Sequence, residues 1–218
     1  MSFESDSTSF EAMLERLAKR TTPKTVVDIG ASNGQWSAMA KKVWPSAKFL
    51  LVEANPVFED NLKAYCKLSG ASYSLSLAGA NSGLAACGFC EENPYQGVDL
   101  TENSSLVTVE TIDKLLDDRG LPGPYLLKFD VHGHEIPILW GARETLKDTG
   151  AIVMEVYGWR QGHGSLRFWE MCSYLEGLGF GSSDLCEPLY RPYDGRLSQV
   201  DMAFERLSAP GMNTSRYE

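Results

Sequence analysis

No apolar run in this sequence approaches the ~20 residues a membrane-spanning helix needs, so no membrane span is expected. Basic residues are in the minority, with 20 Lys and Arg against 29 Asp and Glu for a net charge of −9. A nucleic-acid backbone needs a basic surface, and Lys and Arg form no block here, so nucleic acid is not an expected partner. Met1 to Ser9 is polar, without the basic start and apolar core of a signal peptide, and the expected compartment is cytoplasmic. Cysteine is sparse and odd in number: Cys66, Cys87, Cys90, Cys172 and Cys186 make no disulfide-like framework. Cys87-Gly-Phe-Cys90 is a lone pair without a second pair or matching histidines, and a strand would turn its thiols to opposite faces. Ordinary burial is its default reading.

What is present is ordinary globular composition, 43% hydrophobic and 22% charged. The length of 218 residues suits one domain spanning 1–218, with an N-terminal helix over 8–20 and a tail frayed from 209. The organising stretch is Thr25-Val26-Val27-Asp28-Ile29-Gly30-Ala31-Ser32-Asn33-Gly34. A buried strand runs into a glycine turn, and Trp36, Met39, Ala40 and Val43 then follow at helical spacing. The helix presents its free N–H groups to whatever sits above the turn.

Around it the chain alternates. Thr8 and Glu11 read as a capping box. Lys48 to Glu53 reads as a strand; Asn55 caps a helix with Pro56 at its first position, closed by Ser69-Gly70. Ser72 to Leu77 is a third strand, and Leu84 to Glu91 with Leu106 to Glu110 are extra strands around a polar loop, Asn93 to Ser104. A helix over Thr111 to Arg119, a strand to Asp130, a helix from Pro137 to Asp148, a strand over Ala151 to Tyr157 and a helix from Ser165 to Gly179 follow. Two strands, Leu185 to Tyr190 and Gln199 to Arg206, are joined too closely for anything but a hairpin. The pattern predicts a Rossmann-like, doubly wound α/β fold: a mostly parallel seven-stranded sheet, a C-terminal antiparallel hairpin strand and a β insertion near 83–110.

In such sheets ligands bind at the carboxyl ends of the strands, where Asp28, Glu53, Asp130 and Glu155 supply acids. A dinucleotide fingerprint needs a central glycine, which Ala31-Ser32-Asn33 lacks, and no P-loop lysine follows. An acid just before the turn repels phosphate and favours a cationic ligand. S-adenosylmethionine, with its sulfonium and ammonium, meets that requirement, and Glu53 can accept from its ribose hydroxyls.

Asp28 to Gly34 and Val52-Glu53-Ala54-Asn55-Pro56 resemble motifs of class I S-adenosylmethionine-dependent methyltransferases. Val109 to Leu115, Leu127-Lys128-Phe129-Asp130-Val131-His132-Gly133-His134-Glu135, Leu139 to Ala142, Met154 to Val156 and Gln199 to Phe204 resemble the FkbM type, over about Val26 to Phe204. The resemblance implies methyl transfer to a hydroxyl of a sugar, glycan or natural product, the acceptor being the expected partner, with monomer or homodimer left open. It implies a cofactor set of Asp28, Gly30, Ala31, Ser32, Asn33, Gly34, Glu53, Ala54, Asn55, Ser76, Leu77, Ala78 and Asp130. The glycine turn and Asn33 would cradle the methionine part, Glu53 the ribose, and Ser76 to Ala78 the adenine. A cofactor-binding partner module that has lost catalysis, or an NAD-type oxidoreductase, are the alternatives. One departure stands out: His132 occupies a position that is usually Glu in the family.

A hydroxyl nucleophile needs help losing its proton. His132, which titrates near neutrality, is the first candidate base, with Asp130 orienting it or acting as base itself; loss of the proton to water is the bland alternative. Asp130, His132, His134 and Glu135 also have the residue types of a divalent-metal site, but their fan-out is undetermined and no metal is assigned. Lys128, inside a buried strand, should pair with a carboxylate. Tyr157, Trp159, Trp169, Tyr190 and Tyr193 read as core or rim before they read as a sugar-stacking wall. The segments Asn93 to Ser104 and Gly158 to Gly164 are expected to roof the pocket.

Overall fold

Strong β-formers and well-placed caps set an alternating chain. The computed structural model describes residues 8–96, 98–99, 105–162 and 164–215. Parts of both expected roof segments (97, 100–104 and 163) and the last tail residues (216–218) therefore lie outside the described residues. Helix α1 (Phe10–Ala18) precedes β1 (Thr25–Ile29), α2 (Gln35–Val43), β2 (Lys48–Glu53), α3 (Glu59–Ser69) and β3 (Ser72–Leu75). Then come β4 (Leu77–Ala78), β5 (Gly83–Phe89), β6 (Val98–Asp99) and β7 (Ser105–Glu110). Alternation resumes with α4 (Ile112–Asp117), β8 (Tyr125–Phe129), α5 (Glu135–Trp140), α6 (Arg143–Lys147) and β9 (Thr149–Tyr157). The chain closes with α7 (Phe168–Gly177), β10 (Phe180–Tyr190) and β11 (Leu197–Arg206).

The main sheet has seven strands in the order β10-β11-β9-β8-β1-β2-β3, and β4-β7-β5-β6 form a smaller sheet from the insertion. Strands β9, β8, β1, β2 and β3 run parallel, while β11 is antiparallel to both of its neighbours. This is the mixed, mostly parallel α/β fold with its hairpin strand that the sequence pattern predicts. From β1 the chain winds outward one way through β2 and β3, and later the other way through β8 and β9. The carboxyl ends of β1 and β8 therefore flank the crevice where such sheets take ligands.

Successive strand residues divide between two apolar layers, as the period of two requires. Val26, Phe49, Leu51, Leu126, Ala151, Val153 and Ala203 join Met13, Leu14 and Leu17 of α1 and Trp36 of α2 on one side. Val27, Ile29, Leu50, Val52, Leu127, Phe129, Ile152, Met154 and Phe204 join residues of α4, α5, α6 and α7 on the other. Asp28, Glu53, Lys128 and Glu155 break the first layer at its upper end: by alternation they take positions that apolar residues would otherwise continue. All four are buried, which is costly unless each is paired. Helix α1 is also pinned by Arg16, in its C-terminal half, to Asp184 of β10 at 2.8 Å, and the turn after it by Arg20 to Glu205 of β11 at 2.9 Å. Burial alone would raise the Asp184 carboxyl, but the Arg16 hydrogen bond, the Leu185 N–H and the charges of Arg16 and Arg20 together hold it below its ordinary value.

Several boundaries move from the sequence reading. Ser9, not Thr8, caps α1, its hydroxyl accepting from Ala12 N at 3.2 Å. The third strand breaks after Leu75: Ser76 N donates to Glu53 O at 2.8 Å, and β4 leaves to pair with β7 in the small sheet. Val98–Asp99, within the expected loop, pairs with β5. The helix expected from Pro137 to Asp148 starts at Glu135 and divides into α5 and α6. Pro137 is tolerated in the first turn, where its missing N–H leaves no bond unmade. The division falls at Gly141, which packs so closely that a Cβ there would lie 2.0 Å from the carbonyl oxygen of Gly79. Strand β10 begins at Phe180, directly after Gly179 in the left-handed region. Residues 209–213 turn back on themselves, with Asn213 Nδ2 donating to Leu207 O at 2.8 Å. Among the described residues no helix is long and apolar enough to cross a membrane.

Candidate active site

The turn after β1 is shaped by contact with the end of β8. Gly30 has φ +78, and a Cβ on it would lie 1.9 Å from the carbonyl oxygen of Asp130. Only glycine admits that approach. Ser32 is also left-handed, at φ +48, and Gly34 at φ +80 begins α2. A cavity of about 960 Å³ opens above this turn, at the upper end of ordinary small-molecule pockets, which run to roughly 1,000 Å³. Gly30, Ser32, Glu53, Ala54, Asn55, Ser76, Leu77, Ala78 and Asp130 line it together, with His132 at the same rim as Asp130.

Glu53, at the end of β2, is fixed by the backbone. Its Oε2 accepts from Ser32 N and its Oε1 from Asn55 N, each at 2.7 Å. Burial raises the carboxyl above its ordinary value, and these two backbone N–H groups oppose the rise. Asn55 also caps the 3-10 turn Pro56–Phe58 by accepting from Val57 N at 3.1 Å.

The remaining members of the sequence-derived cofactor set do not line the cavity. Asp28 sits beneath the turn, fully buried, accepting from Ser37 Oγ at 2.7 Å, so that it holds α2 against β1. Burial pushes its carboxyl up to about 6, although Lys128 and Ser37 pull the other way. Ala31 packs into the apolar layer under α1 and α2, and Gly34 backs onto Leu51 and Tyr65. Asn33 stands at the rim, where its Nδ2 donates to the Tyr95 hydroxyl at 3.4 Å.

The acidic edge lies between β8 and β9. Lys128, buried as the alternation requires, donates to Asp130 Oδ2 at 2.7 Å, which realises the expected pairing. Burial would raise the Asp130 carboxyl, yet Lys128 and His132 together hold it below its ordinary value. His132 adopts a left-handed backbone, φ +52, a strain of roughly 1–2 kcal/mol for a residue with a Cβ. Its ring is clasped on both nitrogens. Nε2 lies 3.0 Å from the Tyr95 carbonyl oxygen, which can only accept. Nδ1 lies 2.6 Å from the Tyr157 hydroxyl, whose own proton is given to Glu155. With the Tyr157 proton on Glu155, both ring nitrogens are placed to donate, the arrangement that suits an imidazolium. Gln199 of β11 donates to the other oxygen of Glu155.

Burial favours neutral His132, but the Glu155 hydrogen bond and the charges of Asp130 and Glu155 outweigh it and raise the group to about 9. A group raised in the folded state stabilises fully below its unfolded value, ~6.5, and loses that contribution as pH climbs through the folded value. We expect the stability difference between the native chain and His132→Gln to shrink by roughly 2–3 kcal/mol between pH 6 and pH 10. Chemical denaturation across that range checks it, with the imidazole NMR titration as the direct reading; a midpoint near 6.5 would overturn the clasp. Nearby, burial raises the Glu135 carboxyl against the donation of Gly133 N at 2.8 Å, and burial lowers His134. His134 and Glu135 thus do not complete the metal set suggested by their spacing; Glu155, from β9, converges with Asp130 and His132 instead.

Residues 28–181 match the methyltransferase FkbM domain family. The chain belongs to that family. No curated protein sequence matches it significantly. Among solved structures it is similar to the methyltransferase FkbM from Methylobacillus flagellatus KT, at 18% identity and a TM-score of 0.56, over 82% of this chain and 43% of that one. It thus spans less than half the length of that relative. It is also similar to the precorrin-6y C5,15-methyltransferase from Geobacter metallireducens GS-15, at 13% identity and a TM-score of 0.51, over 92% and 91% of the two chains. At such identities these likenesses speak to the fold.

S-adenosylmethionine is the methyl donor that an FkbM methyltransferase domain implies, and the residues present fit it. Gly30 and Ser32 line the cavity at the turn, Glu53 offers a fixed carboxylate, and Asp130 supplies negative charge near the turn. Leu77, Ala78 and Phe58 give the cavity an apolar wall. Tyr95 and Gln161 line the cavity from the two segments expected to roof it, whereas sequence reasoning missed the joint role of Glu155, Tyr157 and Gln199. The period-two spacing of Glu155 with Tyr157, opposite Gln199 in the hairpin, was the available signal. Trp159, Trp169, Tyr190 and Tyr193 are exposed and do not line the cavity, while Tyr157 is buried within the clasp.

Proposed function

We propose that this FkbM domain transfers the methyl of S-adenosylmethionine to a hydroxyl of a sugar, glycan or natural product. The observation that carries the reading is Glu53, a buried carboxylate held by Ser32 N and Asn55 N at the wall of a cavity large enough for the donor and part of an acceptor. When bound, the donor supplies a methyl already activated on a sulfonium sulfur. Glu53 accepts from the ribose hydroxyls; Gly30, Ser32 and the start of α2 receive the methionine part; Ser76, Leu77 and Ala78 border the adenine, with Ala54 and Asn55 beside it. The acceptor enters between the described roof residues Pro94, Tyr95 and Gln96 on one side and Gln161 and Gly162 on the other.

The chain's remaining task is to align the acceptor oxygen and relieve it of a proton. His132, with both ring nitrogens engaged by Tyr95 and Tyr157, is not free to take the proton in this arrangement and instead stands beside Asp130. Asp130 Oδ1, the oxygen that Lys128 leaves open, is the proton acceptor. Incubation with methyl-labelled S-adenosylmethionine and a panel of glycans and hydroxylated metabolites tests the reading. Label should appear in an ether-linked methyl with equimolar S-adenosylhomocysteine. Transfer to nitrogen or carbon acceptors alone would overturn the hydroxyl assignment, and tight donor binding without turnover on any acceptor would favour a binding module.

A further inference from the structure

Asp130 and His132, just beyond β8, and Glu155, in β9, bring one imidazole nitrogen and two carboxylate oxygens within 4.8 Å of one another at the cavity wall. Nδ1 of His132 stands 3.2 Å from Glu155 Oε2 and 3.8 Å from Asp130 Oδ1. Ligands held on one small divalent ion at about 2.0–2.2 Å lie ~3.0 Å apart at right angles and ~4.2 Å apart when opposite. Both measured separations fall in that window.

The surroundings prepare the ligands. Nε2 of His132 donates to the Tyr95 carbonyl at 3.0 Å, so the nitrogen turned toward the carboxylates is Nδ1. A second ring nitrogen tied to a backbone carbonyl is the arrangement that orients metal-binding histidines. Gln199 and Tyr157 each donate to Glu155, and Lys128 occupies Oδ2 of Asp130, leaving Oδ1 toward the imidazole. The carboxyls of Asp28, Asp201 and Glu135 also act on this region, against the cations of Lys128 and His132.

We propose that Asp130 Oδ1, His132 Nδ1 and Glu155 Oε2 form a binding site for a divalent cation, which takes the place of the Nδ1 proton and keeps open positions toward the cavity. One imidazole with two carboxylates suits ions between Mg²⁺ and Zn²⁺ in preference, and Mn²⁺ is the natural probe. Its role rests on the methyl-transfer reading. With the ion bound, Asp130 Oδ1 is a ligand and no longer takes the proton: the acceptor hydroxyl oxygen occupies an open position, the ion weakens its O–H bond, and the proton leaves to solvent water.

Mn²⁺ is titrated into the full chain, followed by calorimetry and electron paramagnetic resonance, without and with S-adenosylhomocysteine. We expect one saturable ion per chain, ¹⁴N modulation from a bound imidazole, retention when S-adenosylhomocysteine is bound, and at least a tenfold weaker site in Glu155→Gln. The modulation should vanish in His132→Ala; Glu155→Gln, nearly isosteric, carries the test if His132→Ala does not fold. Absence of saturable binding, absence of the nitrogen signal, or competition between Mn²⁺ and S-adenosylhomocysteine would overturn the proposal. Failure of S-adenosylhomocysteine itself to bind would instead count against the donor pocket, so the two readings fail separately.

Discussion

Gly30→Val should abolish donor binding and destabilise the chain by more than ~4 kcal/mol, the range reserved for severe steric and strain effects. The reason is geometric on two counts. A Cβ would stand 1.9 Å from the Asp130 carbonyl oxygen, and φ is +78, where a β-branched residue is an outlier. Relief requires β1 and β8 to part at their carboxyl ends. Asp130 N donates to Ile29 O at 2.9 Å across that junction, so the ladder itself would open. Gly34→Ala is the informative comparison. Its Cβ would meet the Leu51 side chain at 3.3 Å rather than backbone, so it should cost far less. Thermal or urea unfolding of both variants, with calorimetric titration of S-adenosylhomocysteine, separates them; a Gly30→Val chain that melts within a few degrees of the native one contradicts the close approach.

Lys128→Met should cost about 3–5 kcal/mol at pH 7, the usual result of leaving a buried charge without its partner. The flexible methionine matches the lysine stem well enough that packing is a minor part. What is lost is the cation between Asp28, directly beside it in β1, and Asp130, 2.7 Å away. Asp201 on β11 also depends on it: burial pushes that carboxyl up to about 7, and Lys128 is the neighbour that holds the rise in check. In the variant the carboxyls bind protons more readily in the folded state than in the unfolded one. The penalty should therefore shrink as pH falls from 7 toward 5, and Asp28→Asn added to Lys128→Met should recover part of it. Urea denaturation at both pH values decides; a loss below ~1 kcal/mol at pH 7 would show that the carboxylates do not rely on Lys128.

The sheet was legible because its signals are local. Runs such as Val26-Val27 and Leu50-Leu51-Val52 are apolar on both faces, as a strand covered by helices on either side must be, and Pro45, Gly70 and Asn55 punctuate them. The glycine turn and Glu53 were legible for the same reason. The features that were not legible depend on approach between distant segments. Gly141 is a local weak point in Pro137 to Asp148, but a lone interior glycine does not by itself end a helix; the close packing of Gly79, far away in sequence, coincides with the division there. Asp28 reads as a cofactor ligand by motif, yet its place in the alternation turns it under the turn toward Ser37. His132 reads as a neutral base by residue type, while its charge is set by Glu155, Tyr157 and Tyr95, which only the folded sheet and its roof bring to the ring.

Donor recognition at the β1–β2 edge is the central claim, and a calorimetric titration with S-adenosylhomocysteine, run beside NAD, tests it most directly. One saturable site for S-adenosylhomocysteine is expected, none for NAD. Glu53→Ala should weaken binding about 10- to 100-fold, the loss of roughly 1.5–3 kcal/mol in hydrogen bonds to a charged group. Saturable binding of NAD alone, or S-adenosylhomocysteine bound equally well without the Glu53 carboxylate, would contradict the account.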